Sequence, residues 1–173
     1  QGDALSPLLF ILCLEEFTRW NHFMSEGHTF SFDKEHKIVN LCFADDMVLL
    51  SNNTEDMQKQ LDRLKEFADW TGMKVNIKHT PDKSAITILT HEKKTAQELE
   101  DISEKCKYNG FKLPFVKPHE SYKYLGFHTN MKLCMKQLRK NVIDKVNEKC
   151  NKLENAFPDT RQKRHIIETV IKA

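Results

Sequence analysis

Leu41-Cys42-Phe43-Ala44-Asp45-Asp46-Met47-Val48-Leu49-Leu50 sets two adjacent carboxylates inside a run of apolar and β-prone residues. Leu41 to Phe43 and Met47 to Leu50 read as the two strands of a buried β-hairpin with its acids at the turn. Carboxylates in apolar surroundings need cations or hydrogen-bond donors to offset lost hydration, and a divalent metal is the natural partner. Asp is also a favoured turn residue in its own right. The rest of the chain therefore decides what this pair does.

Upstream, Gln1-Gly2-Asp3-Ala4-Leu5-Ser6-Pro7 is a polar, glycine-containing loop, in which Ser6 and Pro7 read as the N-cap and first residue of a helix. Leu8, Leu9, Ile11, Leu12, Phe17 and Trp20 trace that helix, which packs heavily on one side and ends before Gly27. Its N-terminus directs unpaired N–H groups toward the Gln1-Gly2 loop, a geometry suited to phosphate, although an ordinary capped core helix has the same pattern. Thr29 to Phe32 and Lys37 to Phe43 read as antiparallel strands joined by the turn Asp33-Lys34-Glu35-His36, with Met47 to Ser51 as the strand after the acids.

Downstream, Asn53 or Thr54 caps a helix carrying Met57, Leu61, Leu64 and Ala68, and Gly72 stops it. Lys74 to Ile77 and Ser84 to Leu89 read as strands around the cationic loop Lys78 to Lys83. Residues 90–105 are charged and weakly patterned, an exposed insertion with a turn or two of helix. Asn109-Gly110 marks a tight hairpin between Lys105–Tyr108 and Phe111–Leu113. Pro114 and Pro118 keep the chain extended up to a strand over Tyr122–Phe127. Leu138, Val142, Val146, Cys150, Leu153 and Phe157 then describe an amphipathic helix broken at Pro158, with a second helix after Asp159 or Thr160. The fold class is α+β, an antiparallel sheet packed with helices and followed by a helical segment, with a boundary near residue 128.

Composition sets the outer bounds. A chain of 173 residues, 39% hydrophobic and 30% charged, can bury a substantial core. It has no run of about 18 apolar residues that would span a bilayer and no signal peptide. Five scattered cysteines without a CxxC pair read as reduced thiols, and no histidine stands at zinc-finger spacing. The net charge of +2 conceals an asymmetry: residues 128–173 carry 11 Lys and Arg against 5 Asp and Glu, the remainder 16 against 20. A basic tail suits a polyanion, as it also suits a solvated helix. Opening on Gln1 and closing inside a helical pattern, the sequence reads as a piece of a longer polypeptide.

In their order, QGDALSPLLF, FADD, TGMKVN with its following lysines, and YLG resemble the reverse transcriptase family. The wording is most similar to enzymes of retrotransposons without long terminal repeats, with Ala4 where those have proline. FADD alone would be weak; four ordered motifs from Gln1 to Gly126 are specific. The resemblance implies that residues 1–127 are the C-terminal part of a polymerase palm and residues 128–173 the start of a helical thumb. It implies an RNA template, a DNA primer, deoxynucleoside triphosphates, the remainder of the parent polypeptide as partners, and no membrane. An intracellular location, nucleus and cytoplasm, goes with it.

The implied reaction is two-metal nucleotidyl transfer to a primer 3′-hydroxyl, with two Mg²⁺ ions, or Mn²⁺ in their place, about 3.5–4 Å apart. Asp45 is the direct ligand and Asp46 a ligand or electrostatic support, because neighbouring residues of a hairpin point differently. By resemblance, Gln1, Gly2, Ser6, Pro7, Phe43 and Ala44 line the nucleotide pocket, and Tyr124, Leu125 and Gly126 brace the primer. The motif cation that would protonate the leaving pyrophosphate falls on Lys78, His79 or Lys83, with Lys83-Ser84 before a β-prone run preferred. A further carboxylate and the fingers precede the QG loop in this family, so the fragment alone is expected to be inactive. The alternative is a non-catalytic nucleic-acid-binding remnant of a retroelement that uses its basic tail.

Overall fold

A computed structural model describes residues 5–30, 32–78, 80–81, 83–117, 119–120, 122–125, 127–129, 135–155 and 164. The chain divides into two compact units, Gln1–Pro118 and His119–Ala173, so residues 119–127 group with the later segment rather than with the part before residue 128. The first unit opens with α1 (Ser6–Met24), whose N-cap is Leu5 rather than the expected Ser6. Leu5 already has helical dihedrals (φ −85°, ψ −25°) and its carbonyl accepts from the Leu9 amide, which leaves Ser6 inside the first turn without a capping role.

Four antiparallel hairpins account for the strands among the described residues: β1 (His28–Phe30) with β2 (Asp33–Ile38), β3 (Asn40–Phe43) with β4 (Asp46–Leu49), β5 (Lys107–Tyr108) with β6 (Phe111–Lys112), and β7 (Tyr122–Tyr124) with β8 (Phe127–Thr129). The α+β character agrees with the sequence reading, although these ladders stay two-stranded. Residues 33–36 are the expected turn, yet they form most of β2, and Phe30 already pairs with Asp33. Val39 splits the expected strand Lys37–Phe43. It is buried, and its carbonyl accepts from the Leu50 amide at 2.7 Å, which closes the open end of the β3–β4 hairpin.

The helix after this hairpin follows its sequence signals. Asn53 caps α2 (Thr54–Thr71) by accepting from the Asp56 amide at 2.7 Å, and Gly72 ends it at φ 72°. Asn109 and Gly110, both at positive φ, make the tight turn that joins β5 to β6. The insertion 90–105 holds the expected short helix: α3 (Ala96–Ser103) starts from a capping box in which Thr95 and Glu98 satisfy each other's backbone amides.

The strands expected at Lys74–Ile77 and Ser84–Leu89 do not form. Met73, Val75 and Ile77 are half-buried while Lys74, Asn76 and Lys78 are exposed, so the segment keeps the alternation of a strand without a ladder partner. Ile86 makes a single parallel bridge to Phe115, through Ile86 N–H to the Pro114 carbonyl and Val116 N–H to the Ile86 carbonyl, each 2.9 Å. On the side toward Ser84 the next rung would need an N–H at position 114, which is a proline.

Two apolar clusters share α2. Leu14, Phe17 and Phe67 form one, with the Phe17 and Phe67 rings 5.3 Å apart; Leu61, Cys106 and Tyr108 form the other. Leu49 and Leu64 touch both clusters. Met47 and Leu49, two residues apart on β4, point into this core and seat the acidic hairpin on α1 and α2. The expectation that α1 packs over its N-terminal half is not met: Leu8, Leu9, Ile11 and Leu12 remain 52–56% exposed. In the second unit α4 (Met135–Asn155) matches the expected amphipathic helix. Pro158 and the helix expected after it lie outside the described residues. No helix among the described residues is long and apolar enough to cross a membrane.

Candidate active site

The acidic hairpin closes in a two-residue turn. Phe43 pairs with Asp46 and Cys42 with Met47, so Ala44 and Asp45 are the turn and Asp46 is the first residue of β4. Ala44 has φ 51°, in the left-handed region that costs a residue with a Cβ about 1–2 kcal/mol. Asp45 therefore stands at the apex and Asp46 one step down the strand.

Both acids are exposed, as are Leu41, Cys42, Phe43 and Ala44. This corrects the buried hairpin of the sequence reading: the core takes Met47 and Leu49 from one side of β4, while Phe43 (65%) and Leu41 (51%) open to solvent. Desolvation therefore does not force a cation onto these carboxylates. What remains is the donor set, two adjacent hard oxygen ligands. It fits Mg²⁺, which characteristically takes one or two carboxylates and completes its octahedron with water and substrate phosphates. Among the described residues no group of three or more His, Cys, Asp or Glu side chains could cage a metal alone.

The other expected site residues that are described lie on other elements. Ser6 and Pro7 are exposed in the first turn of α1; Gln1 and Gly2 lie outside the described residues. Lys78 and Lys83 are exposed on the loop after Ile77, which the Ser84 hydroxyl ties at its base by donating to the Asn76 carbonyl at 2.8 Å. His79, the third candidate cation, lies outside the described residues. Tyr124 and Leu125 belong to the second unit. The strand expected over Tyr122–Phe127 is instead a hairpin, because Tyr124 pairs with Phe127 and Leu125 takes φ 48° to reverse the chain; Gly126 lies outside the described residues. Thus Phe43, Ala44, Asp45 and Asp46 come together on one turn, and Lys83 sits on a separate loop.

A buried polar network behind the hairpin escaped the sequence reading. Asp56 on α2 accepts from the Glu26 and Gly27 amides (3.1 Å each), from the Ser51 hydroxyl (2.9 Å) and from Gln60 Nε2 (3.0 Å). Burial pushes the Asp56 carboxyl up, but these bonds, led by Gln60 and followed by the two amides and Ser51, outweigh it and hold the group below its ordinary value. Gln60 also donates to the Leu50 carbonyl at 2.9 Å and accepts from Asn21 Nδ2 at 3.1 Å. Arg63 Nε donates to Asn21 Oδ1 at 3.0 Å, and its Nη2 bonds the Ser25 hydroxyl. Burial lowers the Arg63 pKa, partly offset by Asp56 and Asp62. A sequence signal existed: Asp56, Gln60 and Arg63 fall at four- and three-residue spacing on one face of α2, and Asn21 and Ser25 at four-residue spacing near the end of α1.

Residues 1–129 match the family model described as reverse transcriptase (RNA-dependent DNA polymerase). The chain is 26% identical over 177 residues to the retrovirus-related Pol polyprotein from type-2 retrotransposable element R2DM of Drosophila melanogaster, covering 99% of this chain and 15% of that relative. It is 36% identical over 89 residues to the retrovirus-related Pol polyprotein from type-1 retrotransposable element R2 of Popillia japonica, covering 51% of this chain and 14% of that relative. The chain thus spans about a seventh of the length of these curated relatives. No solved structure matches it significantly. The chain belongs to the reverse transcriptase family, of the kind found in retrotransposons without long terminal repeats.

Proposed function

We propose that the chain is part of an RNA-directed DNA polymerase, and that its acidic hairpin is the catalytic turn for adding deoxynucleotides to a primer 3′-hydroxyl on an RNA template. The observation that carries this reading is the exposed two-residue turn that sets Asp45 at its apex and Asp46 beside it, in a chain of the reverse transcriptase family. Asp45 and Asp46 would hold two Mg²⁺ ions, or Mn²⁺ in their place, which when bound supply positive charge to the attacking and leaving oxygens at phosphorus. Phe43 and Ala44 shape the floor under the primer end, Gln1, Gly2, Ser6 and Pro7 the nucleotide side, and Tyr124, Leu125 and Gly126 hold the primer. Lys83 is the proton donor to the leaving pyrophosphate. On this reading residues 1–127 belong to a palm and residues 128–173 begin a thumb.

The half-exposed Leu8, Leu9, Ile11 and Leu12, together with Leu41, support a further part of the proposal. An apolar surface of this kind is covered in a working protein. We assign the cover to other segments of the parent polypeptide, which also bring the remaining carboxylate to the acids. The test is primer extension by the full parent polypeptide on an RNA template with Mg²⁺. Asp45→Ala should lower the rate at least about 100-fold, in line with a group that acts at the reacting phosphate; unchanged synthesis would refute the assignment. In the same assay, normal turnover by Lys83→Ala would remove Lys83 from its role.

A further inference from the structure

The end of the hairpin opposite the acids is held to the helices by Asn40, whose Nδ2 donates to Thr18 Oγ1 on α1 at 3.3 Å, and by the more deeply buried Gln60. Gln60 is fully buried, and every conventional hydrogen-bonding group of its amide is used: the carbonyl accepts from Asn21 on α1, and the NH₂ group donates to Asp56 on α2 and to the Leu50 carbonyl just after β4. The Leu50 amide in turn closes the hairpin onto Val39. A single amide therefore joins α1, α2 and the base of the acidic hairpin.

Apolar contacts of Met47 and Leu49 seat the hairpin in the core, but such packing is non-directional and leaves tilt and slide weakly specified. A satisfied buried polar network is directional and fixes one arrangement. The geometry makes the base matter for the tip. Asp46 lies four residues from Leu50, about 13 Å along an extended strand. A tilt of about 5° at the base then moves the acids by about 1 Å, and a displacement of that size at a reacting centre can cost about 100-fold in rate.

We propose that Gln60 is a positioning residue of the polymerase site, setting through Leu50 the angle at which the β3–β4 hairpin presents Asp45 and Asp46. The inference rests on the reading of those acids given above.

Gln60→Met keeps the length and apolar packing of the side chain and removes all three hydrogen bonds. Amide hydrogen exchange of the 173-residue chain, at a temperature where the variant remains folded, should speed at least tenfold over residues 40–50. Exchange around Phe17 and Phe67 should stay within about twofold. In the full parent polypeptide, kcat for primer extension should fall at least tenfold, with KM for the incoming nucleotide within about threefold. A uniform rise in exchange, or an unchanged kcat beside an inactive Asp45→Ala control, would overturn the inference and leave the reading of the acids standing. Synthesis that survives Asp45→Ala would overturn that reading and this inference with it. Should Gln60→Met lose its melting transition, Gln60→Leu carries the same readings, since it also removes all three hydrogen bonds and is no larger than the side chain it replaces.

Discussion

Asp56 shows how one residue joins segments that sequence keeps apart. Its carboxylate satisfies the Glu26 and Gly27 amides after α1, the Ser51 hydroxyl before α2, and Gln60 one turn along α2. Because these bonds hold its folded pKa below the ordinary 3.8, the stability it contributes is full at higher pH and is lost as pH falls below that value through the folded one. Asp56→Asn should lower stability by about 1–3 kcal/mol near pH 6, the cost of leaving buried donors unmatched. The variant should also lose part of the fall in urea midpoint that the unaltered chain shows between pH 5 and 3, a range set by the ordinary carboxylate value. Parallel midpoint-against-pH curves would refute this role. The nearby Arg63 stays cationic throughout that range, so its charge does not confound the comparison.

At the level of elements, two glycines at positive φ follow helices under different constraints. Gly72 ends α2 at φ 72° in open space. Gly27, between α1 and β1, has φ 68°, and a Cβ there would lie 2.8 Å from Val39 Cγ2 and 2.9 Å from the Ile38 carbonyl oxygen. Gly27→Ala should therefore cost about 2–4 kcal/mol, left-handed strain plus overpacking against the β2–β3 corner. Gly72→Ala should cost about 1–2 kcal/mol, for strain alone. Urea unfolding of both variants checks the difference, and equal losses would refute the close approach. Local chemistry made the caps and tight turns readable from sequence: Asn53, Gly72 and Asn109-Gly110 each act on neighbours a few residues away. The capping box at Thr95 and Glu98 was equally local and was overlooked amid dense charge. The turn beyond β1 was misplaced because four polar residues read as loop, whereas they belong to β2, in which Asp33 pairs with Phe30 and the register shifts before Lys37 pairs with Thr29.

At the scale of the whole molecule, the acidic turn supplies two carboxylates, and among the described residues no third acid joins them in a cluster. The 173-residue chain alone should therefore show no template-dependent primer extension with Mg²⁺. Synthesis by this chain that Asp45→Ala abolishes would refute that expectation. The sequence by itself determined the family, the hairpin that carries Asp45 and Asp46, and the start and stop of α2, since these reside in short motifs and local backbone preferences. Only the tertiary structure decided that the acids are exposed, that residues 74–77 and 84–89 lack a ladder, and that Asp56, Gln60 and Arg63 form a satisfied network. Burial and hydrogen-bond partnership depend on which distant segments meet. Asn21 and Gln60 are 39 residues apart in sequence and 3.1 Å apart in the fold.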